Sequence, residues 1–129
     1  MSFQLAKATE YAILLLVSLN RQKPLSLRQI SEQKQLPLKF LEKIAGQLKN
    51  KGLIISKEGM AGGYLLNKKT NEISLRDIIE AIEGKRGLVS CINGVCSLEK
   101  NCFHKKIWQK LQARLEKDLQ NIKLTDLIE

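Results

Sequence analysis

The chain has 129 residues and a net charge of +9, which is room for one compact domain plus an additional element or two. Its longest apolar run, Tyr11 to Val17, is far shorter than the roughly 20 residues that span a bilayer. No basic segment with a small-residue cleavage site precedes that run. We therefore expect no membrane helix and a cytoplasmic location.

The basic surplus belongs to one segment. Residues 20–69 contain eleven Lys and Arg but three acidic residues, a local charge of +8, whereas the rest of the chain carries +1. A clustered surplus creates a surface that attracts polyanions. Nucleic acid is the favoured partner, and the alternative is the solvated basic face of an ordinary helical domain.

Apolar spacing predicts three helices before residue 52. Residues 5–19 place apolar side chains three and four apart, as on one core-facing side of a helix. Ser26 is a candidate N-cap for a short second helix over 27–33. Pro37 fits the first position of a third helix over 37–51, and Gly52 is its candidate C-cap.

Two short strands follow. Residues 53–57 are rich in branched side chains, and a glycine-containing loop over 58–63 returns the chain into a strand at 64–66. Three helices and a hairpin predict a mainly α fold, a winged helix-turn-helix with a two-stranded wing. Ser74 and Asp77 form a candidate capping box for a fourth helix that Gly84 ends.

The apolar pattern of the C-terminal part predicts a long helix that packs against a second subunit. Five apolar residues recur strictly every four positions, and a second subunit is a natural cover for such a stripe. We expect a homodimer, with Thr125 capping a last half-turn to Ile128. The predicted organisation is a DNA-binding domain over 1–84, a cysteine loop over 85–102, and a dimerisation helix with a tail over 103–129. The stripe comprises Phe103, Ile107, Leu111, Leu115 and Leu119.

The third helix and the wing are the predicted DNA-binding elements. Basic and amide side chains on the outer face of the third helix can reach phosphates or base edges in a major groove, and wing glycines permit close backbone approach. Asn50 also points outward in this prediction. The candidate DNA-binding residues are Arg28, Leu38, Lys39, Phe40, Lys43, Gln47, Lys49, Lys57, Gly62, Gly63 and Tyr64.

Three cysteines form the second candidate site. Cys91, Cys96 and Cys102 are separated by four and five residues, and no second pair supports a zinc knuckle. Three soft thiolates suit an iron-sulfur cluster, which normally takes four ligands. His104 or Glu10 is a candidate fourth ligand. Zinc, a thiol redox switch and plain buried cysteines remain alternatives.

Several segments resemble the IscR/NsrR family of bacterial transcription regulators, the Rrf-two family, over essentially the whole chain. ATEYA at 8–12 is similar to the family's opening helix, and PLKFLEKI at 37–44 with LKNKGLI at 48–54 is similar to its recognition helix and the entry to its wing. GGYLL at 62–66 resembles the wing signature, and NIKL at 121–124 resembles the end of the dimer helix.

The resemblance implies a cysteine-ligated cluster, with [2Fe-2S] favoured over [4Fe-4S]. The family's three loop cysteines match those of this chain, although the first gap is one residue shorter. A histidine ligand, where the family has one, falls at Lys105 here, so His104 is one step early. In the family's nitric-oxide sensors a first-helix carboxylate is supplied across the dimer, and Glu10 holds that position. The resemblance therefore favours Glu10 over His104.

These features together predict a non-enzymatic regulator, expected to be a repressor, that senses iron-sulfur status, nitric oxide or redox state. The cluster would join the cysteine loop to the first helix and set the spacing of the two DNA-reading heads, which must be about 34 Å apart. A cluster-free thiol or zinc-dependent regulator is the alternative, and a small iron-sulfur electron carrier is a third. No catalytic set accompanies the single histidine, and we expect no small-molecule substrate.

Overall fold

The computed structural model describes residues 4–85 and 105–128, so the three cysteines and His104 lie outside the described residues. Helices α1 (Lys7–Ser18), α2 (Leu27–Lys34) and α3 (Leu38–Asn50) precede strands β1 (Ile54–Lys57) and β2 (Gly63–Leu66). A 3-10 turn (Thr70–Glu72) leads to α4 (Leu75–Glu83), and α5 (Lys105–Asn121) and α6 (Leu124–Ile128) follow. The predicted winged helix-turn-helix with a long C-terminal helix is confirmed. Within these ranges no helix is long and apolar enough to cross a membrane.

Capping boxes begin α2 and α4, which confirms the predicted Ser26 N-cap and the predicted Ser74–Asp77 box and adds Gln29 to the first. The Ser26 hydroxyl accepts the Gln29 backbone N–H at 3.1 Å, and the Gln29 side-chain oxygen accepts the Ser26 backbone N–H at 3.0 Å. Ser74 and Asp77 make the same reciprocal pair at the start of α4. Each box satisfies two backbone donors that a helix start would otherwise leave unpaired.

The ends of α3 differ by one residue from the prediction. Pro37 is the N-cap, with extended backbone angles of φ −63° and ψ 125°, and the helix begins at Leu38. At the other end the Leu53 N–H donates to the Leu48 carbonyl at 3.0 Å and the Gly52 N–H to the Lys49 carbonyl at 2.9 Å. This is a Schellman motif, and it places Gly52, at φ +75°, just beyond the C-cap.

The wing is an antiparallel hairpin joined to the α1–α2 connection. Its register pairs Ile54 with Leu66 and Lys57 with Gly63. The Tyr64 N–H donates to the Leu25 carbonyl at 2.8 Å, and the Leu25 N–H donates to the Tyr64 carbonyl at 3.1 Å. Backbone hydrogen bonds therefore fix the wing to the segment that precedes α2.

Helices α1–α4 and the hairpin share one apolar core, and we call these elements together the head. Leu5 was expected to face this core, but it precedes α1 and is 42% exposed. α5 contributes no buried residue. The buried apolar residues are Ala12, Leu15, Leu16, Leu19, Leu27, Ile30, Leu36, Leu41, Ile44, Ala45, Leu48, Leu53, Ile54, Leu66, Ile73, Ile78 and Leu124.

The chain end returns to the head. After α5 ends at Asn121, the Leu75 N–H donates to the Ile122 carbonyl and the Leu124 N–H to the Ile73 carbonyl, both at 2.8 Å. Leu124 is fully buried. These backbone bonds require an extended segment after the helix. The NIKL sequence at 121–124 therefore contains the end of α5 and the segment that pairs with the head.

Thr125 does not cap the last helix, so that prediction is wrong. α6 already includes Thr125, because it begins at Leu124. The Thr125 hydroxyl instead bonds the Thr70 hydroxyl at 2.9 Å. The Asp126 carboxylate accepts the Lys123 backbone N–H at 2.9 Å and satisfies the donor that precedes the helix.

The apolar stripe of α5 does not stay on one face. A step of four residues advances about 400° around a helix of 3.6 residues per turn, so each step drifts by about 40°. Ile107, Leu111 and Leu115 are 60%, 42% and 41% exposed, whereas Leu119 is half-buried and lines the groove between α4 and α5. Ile107, Leu111 and Leu115 thus form an exposed apolar face, and Phe103, the first residue of the predicted stripe, lies outside the described residues.

We expect Leu124→Ala to lower the free energy of unfolding by about 3 kcal/mol, because it removes a fully buried side chain and leaves a cavity. Urea denaturation measures the change. Leu127→Ala is the matched control, since Leu127 lies in the same helix and is 37% exposed. Equal losses for the two variants would contradict the packing of the chain end into the core.

Candidate nucleic-acid interface

A tight turn sets α3 against α2. Gln35 has φ 54° and ψ 48°, a left-handed conformation, and the following Leu36 is buried. The Leu36 N–H donates to the Ser31 carbonyl at 3.1 Å, and the Ser31 hydroxyl donates to the Leu36 carbonyl at 2.5 Å. These bonds fix the turn between the two helices, which is the helix-turn-helix arrangement.

The outer side of α3 carries a continuous exposed stripe. Lys39, Lys43, Gly46 and Asn50 follow one another at intervals of three and four, and all are exposed. Two cations and an amide on one outward face can contact phosphates and base edges. Gly46 was not singled out from the sequence, although its spacing from the lysines was visible there. The opposite side of α3 is buried through Leu41, Ile44, Ala45 and Leu48.

Two polar side chains of α3 are engaged within the chain. Gln47 is half-buried, and its amide nitrogen lies 3.4 Å from the Ile82 carbonyl of α4, so it is not part of the outward stripe. The Lys49 ammonium donates to the Ser56 hydroxyl of β1 at 2.8 Å. Sequence types alone did not separate these residues from Lys39 and Lys43, because the separation depends on neighbouring elements.

Two apolar candidates at the start of α3 pack inward. Leu38 and Phe40 are half-buried against the core. The Phe40 ring meets the Tyr11 ring edge to face, with centroids 5.3 Å apart and planes at 86°. Such a contact stabilises the packing of α3 on α1. These side chains position α3 on the core, and their contact with DNA stays a prediction.

Steric contacts account for both wing glycines, within the hairpin for Gly62 and against the α1–α2 connection for Gly63. A Cβ on Gly62 would collide with the Lys57 carbonyl oxygen. A Cβ on Gly63, at φ +152°, would lie 2.5 Å from the Leu25 carbonyl carbon and oxygen. Tyr64 follows as the half-buried residue bonded to Leu25. The fold therefore requires glycine at both positions, whether or not the wing contacts DNA.

Further cations flank α3. Arg28 is exposed on α2, and Lys57 is exposed at the end of β1 where the hairpin loop begins. Cations thus lie on the helix before the recognition helix and on the wing after it. A duplex lying along this side would meet basic groups from three elements.

Glu10 is the one described member of the candidate cluster ligands. It is exposed on α1, and its carboxylate lies 3.9 Å from the Lys7 ammonium. Its neighbour Thr9 is buried and donates its hydroxyl to the Glu83 carboxylate at 2.6 Å, which ties α1 to the end of α4. Within residues 4–85 and 105–128, no group of three or more His, Cys, Asp or Glu side chains could hold a metal ion.

Comparison with known families identifies the chain. Residues 5–129 match the model of a family described as Rrf2, iron-dependent transcriptional regulator. The chain belongs to the Rrf2 family. The resemblance stated from the sequence motifs is therefore confirmed.

Individual Rrf2 relatives agree with this assignment. The chain is 33% identical to the transcriptional regulator IscR of Cronobacter sakazakii, an alignment that covers 97% of this chain and 80% of IscR. The structure is similar to CymR, the global cysteine regulator of Bacillus subtilis, with a TM-score of 0.79, 25% identity, and 98% and 97% of the two chains covered. T. potens IscR aligns with a TM-score of 0.71, 27% identity, and 99% and 88% coverage. These relatives are named as regulators, so this chain is a DNA-binding transcriptional regulator.

Proposed function

We propose that this Rrf2 protein binds operator DNA as a homodimer, with the outward stripe of α3 in the major groove and the wing beside it. The observation that carries the proposal is the exposure of Lys39, Lys43 and Asn50 on the side of α3 opposite the core. In the proposed assignment residues 1–84 read DNA, 85–102 sense, and 103–129 join the subunits. Arg28, Lys57 and the wing glycines would contact the backbone of the duplex.

Dimerisation through α5 is part of the proposal. Ile107, Leu111 and Leu115 are large apolar side chains that the head leaves exposed. A second copy of α5 would bury them, and a two-fold arrangement would present two recognition helices to successive major grooves. Winged-helix dimers of this kind bind operators with matching two-fold symmetry.

The sensing element we propose is an iron-sulfur cluster held by Cys91, Cys96 and Cys102. Its support is the donor chemistry of three nearby thiolates and the iron dependence in the family's description. Glu10 suits the fourth position, because its carboxylate is exposed and engages Lys7 only at 3.9 Å. When bound, a cluster would supply iron that responds to redox state or to diatomic ligands. His104 is the competing fourth ligand.

Anaerobic reconstitution tests the cluster. We expect the full chain to bind iron and sulfide and to show visible absorption, and Cys91→Ala to abolish both, because three thiolates are needed to hold the cluster. Glu10→Ala should keep the cluster but change its spectrum, whereas Glu32→Ala, which removes an exposed acid from α2, should not. An iron-free chain after careful reconstitution would rule out the cluster. An unchanged Glu10→Ala spectrum would transfer the role to His104.

A second candidate is a regulator whose cysteines act without a cluster, because the structurally similar CymR of Staphylococcus aureus is known in an oxidized form. In that case DNA affinity would change on treatment with peroxide and recover with dithiothreitol in iron-free protein. Titrating the same duplex with reconstituted, iron-free reduced and iron-free oxidised protein distinguishes the candidates. If the cluster is the sensing element, DNA affinity should differ most between the reconstituted protein and the iron-free reduced protein.

A further inference from the structure

One arginine of the head makes polar contacts with α5. The Arg76 Nε of α4 donates to Glu80 Oε1 at 3.1 Å, and its Nη1 donates to Gln120 Oε1 of α5 at 3.3 Å. Its Nη2 lies 3.7 Å from Glu116 Oε2, and the Gln112 amide donates to the other Glu116 oxygen at 3.1 Å. One planar guanidinium therefore contacts both helices at once.

These contacts lie next to a backbone attachment. Leu75 and Ile73 bond to Ile122 and Leu124 at 2.8 Å, which fixes the end of α5 to the start of α4. An attachment at one end needs further contacts along the helix to oppose rotation, and Arg76 supplies polar ones beside the groove that Ile79 and Leu119 line. Glu116 and Gln120 precede Ile122 by six and two residues, so Arg76 grips α5 along its last two turns.

A small change in the angle between the head and α5 moves the far end of α5 by several ångströms. α5 has 17 residues, which at 1.5 Å per residue is about 25 Å, so a swivel of about 10° displaces its far end by about 4 Å. The exposed apolar face begins at Ile107, near that far end, and extends through Leu111 to Leu115, just past the middle of the helix. If a second copy covers this face, the head-to-α5 angle determines the separation of the two heads.

We propose that Arg76 is a positioning residue that fixes the angle between the head and α5, and thereby the spacing of the two recognition helices on DNA. The proposal rests on the dimeric DNA binding proposed above. Each added base pair moves the half-sites by about 3.4 Å and turns one relative to the other, so a well-fixed angle should make binding depend sharply on half-site spacing. An ordinary surface ion pair would affect stability slightly and leave that dependence unchanged.

Binding to duplexes of altered spacing tests this. A two-half-site operator is selected from random DNA with the full-length wild-type protein, and one base pair is then inserted or deleted at its centre. We expect the wild type to lose about tenfold in affinity on either change and Arg76→Met about threefold or less. Affinity for a single half-site should be the same for both proteins. Arg76→Lys, which keeps the charge without the planar fork, should give an intermediate loss.

Two controls separate geometry from folding and charge. Lys117→Met removes one exposed cation from α5 and should keep the wild-type spacing dependence. The double variant Glu116→Met with Gln120→Met removes both acceptors that α5 offers to Arg76 and should reproduce the Arg76→Met result. Thermal unfolding, followed by circular dichroism, verifies that each variant is folded.

The outcomes are distinguishable. A wild type that is monomeric, or binds without spacing preference, would overturn the proposed dimeric function and this proposal with it. A dimeric wild type with sharp preference, shared fully by Arg76→Met and the α5 double variant, would overturn the role of Arg76 alone.

Discussion

Replacing Gly63 by alanine is expected to lower the free energy of unfolding by about 4 kcal/mol, the combined effect of backbone strain and overpacking. Gly63 has φ +152°, which L side chains rarely adopt. The added methyl would lie 2.5 Å from the Leu25 carbonyl and 2.8 Å from the Ser26 nitrogen. These are backbone atoms, so relief requires separating the wing from Leu25 and losing its hydrogen bonds to Tyr64. Urea denaturation measures the loss.

Gly46→Ala is the matched control for this prediction. Gly46 is an exposed residue inside α3, and a Cβ there would have no atom within 4 Å. The same chemical change should raise stability by about 0.5–1 kcal/mol, because glycine disfavours a helix interior relative to alanine. If both variants shifted stability equally and in the same direction, the Gly63 environment described here would be wrong.

The second large effect is expected from salt. If the proposed dimer contacts about six phosphates, raising KCl from about 50 to 200 mM should weaken DNA binding about a thousandfold, because neutralised phosphates release counterions. Lys43→Ala should weaken binding at low salt and reduce the slope of log affinity against log salt by about 2, since a dimer loses two phosphate contacts. Fluorescence anisotropy over a series of salt concentrations gives both quantities.

Lys117→Ala supplies the control, because it removes a lysine from α5 that is also exposed. Its affinity and salt slope should match those of the wild type. Weaker binding by Lys43→Ala with an unchanged slope would assign that lysine to a base edge instead of a phosphate. Unchanged affinity would remove it from the interface.

Local chemistry explains why much of the head was predictable. Ser26 and Ser74 cap helices through bonds within three residues, and Gly52 meets a local backbone requirement beyond α3. The apolar spacing of α3 matches its buried side at Leu41 and Leu48. Such features depend on residues only a few positions apart, so they can be recognised in the sequence.

The candidate site was predictable only in part. Lys43 and Lys49 look equivalent in the sequence, yet Lys49 bonds Ser56 on β1 whereas Lys43 points outward. Gln47 and Phe40 were assigned to DNA, but they also pack against α4 and α1. The type of a residue does not reveal which element packs beside it. The members of the exposed stripe on α3 could therefore be identified only from the folded structure.

The sequence by itself determined the helix-turn-helix and wing, the concentration of positive charge on them, and the grouping of three thiols, because these follow from spacing, capping and composition. The tertiary structure decided which cations face outward, that Leu119 turns toward α4 while Ile107 remains exposed, and that Leu124 returns to the core. The reason is that each of these outcomes depends on contacts between residues far apart in the chain, and no local pattern encodes such contacts.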